Sequence, residues 1–113
     1  MLPKKNRADK KLLLKILKEG KSFFSDNIFV KITPIRQNNP VFAFVVLAKT
    51  TKKSTERNKI KRRARHAVKN ILSDIKNGVG VAVFLKKETL NKNFYEIKEE
   101  ITRLFKKGGI LLK

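Results

Sequence analysis

The apolar residues Ile60, Ala64, Ala67, Val68, Ile71, Leu72 and Ile75 recur at steps of three, four and one. That is the spacing of a single stripe on an α-helix. The pattern predicts a helix over residues 55–77, with Thr55 as its N-cap, Glu56 at the positive end of its dipole and Asn77-Gly78 as its stop. Helical spacing also predicts a helix over residues 9–19, with Leu12, Leu13, Ile16 and Leu17 inward and Gly20 closing it. A last helix is predicted over residues 91–107, with Phe94, Ile97, Ile101, Leu104 and Phe105 in the core and Gly108-Gly109 at its end. Strands follow a period of two. Residues 28–35 set Ile28, Val30 and Ile32 against Phe29, Lys31 and Thr33, and residues 41–49 are apolar on both faces. Residues 79–85 read as a buried strand with Gly80 inside it, and residues 21–25 as a short strand. Residues 37–40 form a turn, and residues 50–54 a polar, basic loop. The order is αβββαβα, an α+β chain in one domain of residues 1–113, with residues 1–7 as a basic arm and residues 108–113 as a tail.

Charge changes this picture from a fold to a partner. The chain carries 29 Lys and Arg against 9 Asp and Glu, a formal charge of +20 on 113 residues. A small soluble domain usually stays within about 2–8 charges of neutrality, so the excess calls for a polyanion. No cysteine is present, which excludes disulfides and thiolate metal sites. No apolar run approaches the ~18 residues of a membrane span, and the basic first residues lack a signal-peptide core. The expectation is a cytoplasmic protein with a nucleic-acid partner and no membrane contact.

The charge is concentrated. Nine Lys or Arg residues fall between Lys52 and Lys69, against the single acid Glu56. On the predicted helix Asn58, Arg62, Arg65 and Lys69 stack in one row away from the apolar stripe. Lys59, Arg63 and His66 flank the row on one side and Lys61 on the other. One face grips a core while the opposite face forms a cationic ridge suited to phosphates. The aromatics Phe29, Phe42, Phe44 and Phe84 lie on predicted strands. They read either as core or as a platform on which single-stranded bases stack. Phe29, sharing a face with Lys31 and Thr33, is the best candidate for the platform.

Nothing in the chain reads as a self-contained active site. His66 is a lone histidine among arginines. Glu96 and Glu100 share a helix face at i and i+4, and are expected to pair with Lys92 and Arg103 on a solvated side rather than to hold a metal. No phosphate-binding glycine loop occurs.

The run Arg57-Asn58-Lys59-x-Lys61-Arg62-x-x-Arg65, preceded by Lys52-Lys53-Ser54-Thr55-Glu56, resembles the signature of the protein subunit of bacterial ribonuclease P. Asn6-Arg7, a first helix ending at Gly20, the strand from Phe42 and the closing helix fall at that family's spacing. The resemblance implies an α/β sandwich like the second domain of ribosomal protein S5, with a left-handed βαβ crossover against the usual right-handed rule. It implies that Arg57, Asn58, Lys59, Lys61, Arg62 and Arg65, with Lys49, Lys52 and Lys53 before them, contact ribonuclease P RNA. Lys69 extends the same basic row. It further implies a cleft for the 5′ leader of precursor tRNA, one protein per RNA subunit, and hydrolysis by the RNA with Mg2+ and no organic cofactor. Where relatives carry cleft aromatics, this chain has Leu13, Leu17 and Lys31, so Phe29 and Phe44 are expected to supply a displaced platform. His66 stands where an acid is common, which adds to the positive face. The alternatives are a ribosomal or ribosome-assembly RNA-binding protein and an autonomous metal nuclease.

Overall fold

Among the described residues, four strands and three α-helices place the basic helix on one side of a sheet and the first helix on the other. The computed structural model describes residues 2–47 and 53–112. The elements are α1 (Lys10–Glu19), β1 (Lys21–Phe24), β2 (Ile28–Pro34), β3 (Val41–Val46), α2 (Ser54–Ile71), β4 (Val79–Leu85) and α3 (Phe94–Lys107). The sheet order is β1-β2-β4-β3. β2 runs antiparallel to β1 and β4, whereas β3 and β4 are parallel neighbours. Parallel neighbours cannot be joined by a hairpin, so the chain crosses over through α2. The architecture is the α+β sandwich expected.

The alternation along the strands splits the apolar residues between two cores. Ile28, Val30, Phe42, Val46, Val81, Val83 and Leu85 face α2 and α3 and join Ile60, Ala64, Val68, Ile97, Ile101 and Phe105 in the main core. Ala82 and Phe84 face α1 and pack with Ile16, its one fully buried residue. Gly80 opens room for that helix: a Cβ there would lie 3.0 Å from Ile16 Cδ1. With both faces covered, β4 is buried along its whole length. This explains the unbroken apolar run of residues 79–85.

Several boundaries differ from the sequence reading, each for a local reason. α1 begins one residue after its cap, Asp9, whose carboxylate accepts from the Leu12 N–H at 2.8 Å. α2 starts at Ser54, so Lys53 rather than Thr55 is the N-cap, and no side chain caps it. It ends at Ile71 rather than near Asn77, and a 3-10 turn over Leu72–Asp74 follows. Ile75 leaves the helix to bridge Leu111, and Gly78 turns the chain at φ 76°. α3 starts at Phe94 because Asn93 and Glu96 form a reciprocal capping box. A 3-10 turn over Lys87–Asn91 occupies the stretch before it.

The first and last described segments are both tied down. Leu2 is buried, Asn6 donates from Nδ2 to the Pro40 carbonyl at 2.8 Å, and Arg7 bridges Phe42 beside the edge strand β3. The basic arm therefore covers part of an edge that would otherwise be open to pairing. Ile110 is buried, and the Leu112 N–H donates to the Asp74 carbonyl at 2.7 Å. Residues 110–112 are thus a docked segment rather than a loose tail, and Lys113 lies outside the described residues.

Glu100 overturns the reading of a solvated acidic face. It is only 6% exposed and faces the β1–β2 turn, where it accepts from the Ser25 hydroxyl, the Asn27 N–H at 2.9 Å and Asn27 Nδ2 at 3.0 Å. Glu96 is engaged in the capping box, with Oε1 accepting from the Asn93 N–H at 3.1 Å. The two carboxylates serve α3 and its neighbouring turn, each through local donors the helical spacing could not reveal.

Candidate nucleic-acid interface

The apolar stripe of α2 is buried as Ile60, Ala64, Ala67, Val68 and Ile71. This fixes the rotation of the helix and turns its other side outward. Asn58, Arg62, Arg65, His66 and Lys69 together line an open hollow of about 550 Å³. Steps of four, three and four along the helix keep the row on one face. Arg62, Lys69, Asn58 and His66 are exposed, and Arg65 is half-buried. Among the described residues no carboxylate pairs with Arg62, Arg65 or Lys69.

Arg65 is seated rather than free. Its guanidinium carbon lies 6.0 Å from the centre of the Phe44 ring on β3. A cation over an aromatic face gains about 0.5–1 kcal/mol at exposed sites and loses part of its freedom. Arg63 has left the ridge altogether. Its Nη1 donates to the Leu90 carbonyl at 2.8 Å and the Lys92 carbonyl at 3.1 Å, fastening the 87–92 segment to α2. Lys59 is exposed, and Lys61 and Arg57 are half-buried on the flanks of the same helix. Lys53 is exposed at the helix start, and Lys49 and Lys52 lie outside the described residues.

The opposite face of the sheet gathers most of the expected cleft residues. Leu13 and Leu17 on α1 and Phe29 on β2 pack around Ile16, Ala82 and Phe84. Lys31 lies beside them and donates from Nζ to the Leu17 carbonyl at 3.2 Å, a favourable place for a cation at a helix C-terminus. Phe44 does not belong to this group. It faces the main core under Arg65, so Phe29 and Phe44 sit on opposite faces and cannot form one platform. Strand alternation is the cause: Phe44 pairs with Val83, whereas Phe29 pairs with Phe84, the next side chain along β4 and on its other face.

The true partners of Phe29 are Phe24 and Phe84. The Phe29 and Phe84 rings stack at 4.5 Å and 4°, and Phe24 adds a third ring at 5.4 Å and 29°. All three occupy one register line, Phe24 opposite Phe29 and Phe29 opposite Phe84. Phe24 is 63% exposed and ends the row at the β1 edge. Phe42 is plain core, stacked on Phe105 at 6.1 Å. A two-residue turn at Asp26-Asn27, with the Ser25 N–H donating to the Ile28 carbonyl, places Phe24 across from Phe29, a register that the strand pattern alone does not carry.

The described residues contain no group of three His, Cys, Asp or Glu able to hold a metal ion. No described helix is long and apolar enough to cross a membrane. The described residues offer an open cationic hollow on α2 and an aromatic row with a lysine on the other face.

A three-helix, four-strand α+β domain with its charge gathered on the crossover helix defines a small, strongly basic class of protein. The family model for ribonuclease P matches residues 2–109, and the chain belongs to that family. It is 27% identical over 97 residues to the ribonuclease P protein component of Synechocystis sp., spanning 85% of this chain and 78% of that protein. It is 31% identical over 98 residues to the corresponding component of Clostridium kluyveri, spanning 84% and 86%. The solved ribonuclease P protein from Thermotoga maritima superimposes with a TM-score of 0.78 at 26% identity, covering 89% of this chain and 96% of that one. Membership makes this chain a subunit of an endoribonuclease complex of tRNA processing, with an RNA partner.

Proposed function

We propose that the ridge on α2 docks the catalytic RNA of ribonuclease P and that the α1 side of the sheet guides the 5′ leader of precursor tRNA. The observation carrying this reading is the row Asn58, Arg62, Arg65 and Lys69 around one open hollow, on a helix whose other face is locked into the core. Phosphates entering the hollow replace repulsion among like charges with attraction and release counterions. Arg57, Lys59 and Lys61 extend the contact along the helix. Lys53 continues it at the helix start, and Lys49 and Lys52, which lie outside the described residues, are proposed to join the contact. On the other face Leu13, Leu17, Phe29 and Lys31 combine apolar surface with one cation, the chemistry of a single-stranded nucleotide with its base and phosphate.

In this division of labour the protein binds and orients while the RNA performs phosphodiester hydrolysis. Magnesium enters with the RNA, which supplies the metal-dependent chemistry. One protein serves one RNA subunit in the cytoplasm, and the product is the mature 5′ end of tRNA.

Cleavage of precursor tRNA at low magnesium tests the reading, with RNA subunit alone, protein alone and both together. The expected result is efficient cleavage with both components only. Tight RNA binding without stimulation would favour a ribosomal or ribosome-assembly role. Cleavage by the protein alone would point to an autonomous nuclease.

A further inference from the structure

Beside the ridge stands an aromatic cluster that the cleft and the phosphate hollow leave unused. His66, which lines the hollow, has its ring 4.9 Å from Phe94 on the first turn of α3, tilted by 51°. Phe94 in turn meets the edge of Tyr95 at 5.3 Å and 77°. Tyr95 is 75% exposed, the most exposed large hydrophobic residue described. The Tyr95 ring meets Phe94 at one edge and leaves most of its surface in water, and it is linked through Phe94 to His66 in the lining of the cationic hollow. The seat beneath it is rigid: Arg63 fastens residues 90 and 92 to α2, and the Asn93–Glu96 box fixes the start of α3. Aromatic rings next to a phosphate-binding row are the two halves of a nucleotide site, one for the base and one for the backbone.

We propose that His66, Phe94 and Tyr95 form a stacking site for an unpaired nucleobase of the RNA subunit, whose flanking phosphates lie along Arg62 and Lys69. This rests on the proposed docking of RNA on α2 and adds a contact that charge alone does not provide. The charge beside the cluster selects the occupant. An apolar protein partner would have to leave Arg62, Arg65 and Lys69 uncompensated, whereas RNA neutralises them and offers a flat base to the exposed ring.

Tyr95 is the sole tyrosine and the chain has no tryptophan, so tyrosine emission reports on this position alone. Two measurements on the full chain decide the matter: the Tyr95 fluorescence lifetime with saturating RNA subunit, and the affinities of wild type, Tyr95→Phe and Tyr95→Ala across a salt series. Stacking shortens the lifetime. Tyr95→Ala should lose roughly five- to a hundredfold in affinity with an unchanged log–log salt slope, in the range of one stacked base, while Tyr95→Phe keeps the ring and the affinity. Thermal midpoints show that the variants are folded. Steep salt-dependent binding with an unchanged lifetime and wild-type affinity for Tyr95→Ala overturns the stacking site and leaves the docking ridge standing. Absence of RNA binding by the wild type overturns both. A lifetime that changes with protein concentration alone, without RNA, assigns the cluster to self-association and overturns the proposal.

Discussion

Single side chains divide here into those that present charge and those that hold the presenting surface still. Arg63 and Arg65 are two residues apart, yet Arg63 is bonded to two backbone carbonyls and Arg65 lies over Phe44. Glu100 shows the same division among the acids, since it satisfies the β1–β2 turn from within. Glu100→Ala should therefore lower stability by about 1–3 kcal/mol, because the Asn27 N–H loses its acceptor inside the protein. Urea unfolding measures this, and an unchanged midpoint would remove the proposed role. The aromatics give the second residue-scale prediction. Phe29→Ala should weaken leader binding by about 1–3 kcal/mol if one base stacks there. Phe44→Ala should leave leader affinity intact, since its ring is on the other face. Both are measured as leader-dependent affinity of the assembled enzyme at matched folded fraction. The sequence pointed to Phe29 through its mixed strand face. It misplaced Phe44 because β3 is apolar on both sides, and such a strand carries no period to say which residues face which core. Phe24 and Tyr95 escaped because exposure of a single aromatic depends on register and capping rather than on composition.

At the scale of elements, helix existence and type were legible and helix ends were not. The apolar stripe of α2 predicted both its buried face and the ridge opposite, since period alone relates the two. Its ends depended on competition among nearby groups. Lys53 caps the start without a side-chain bond, and the chain leaves the helix so that Ile75 can pair with Leu111. The capping box at Asn93 likewise shortened α3. Burial and display being on opposite faces of one helix makes them separable by mutation. Ile71→Ala should cost about 2–5 kcal/mol of stability through a cavity. At matched folded fraction it should bind the RNA subunit as wild type does. Loss of RNA binding in proportion to that caused by Arg62→Ala would mean that the ridge and the core cannot be separated in this way.

The whole molecule places two unlike surfaces on two sides of one sheet. The α2 side offers charge with fixed seats, and the α1 side offers stacked rings with Lys31 beside them. The order of elements and the family resemblance were readable in advance, because the motif on α2 and the strand spacing extend over most of the chain. The docking of both termini was not. Leu2 and Ile110 sit in segments too short for a periodic signal, and their burial follows from the shape that the rest of the chain makes. The net charge of +20 means that association with RNA should be fast and strongly dependent on ionic strength. The most direct test of the ridge is the log–log salt dependence of binding to the RNA subunit, for wild type and for a variant with Arg62, Arg65 and Lys69 all changed to Ala. Three lost phosphate contacts predict a slope shallower by about 2–3 with the protein still folded. An unchanged slope in the folded variant would contradict the account.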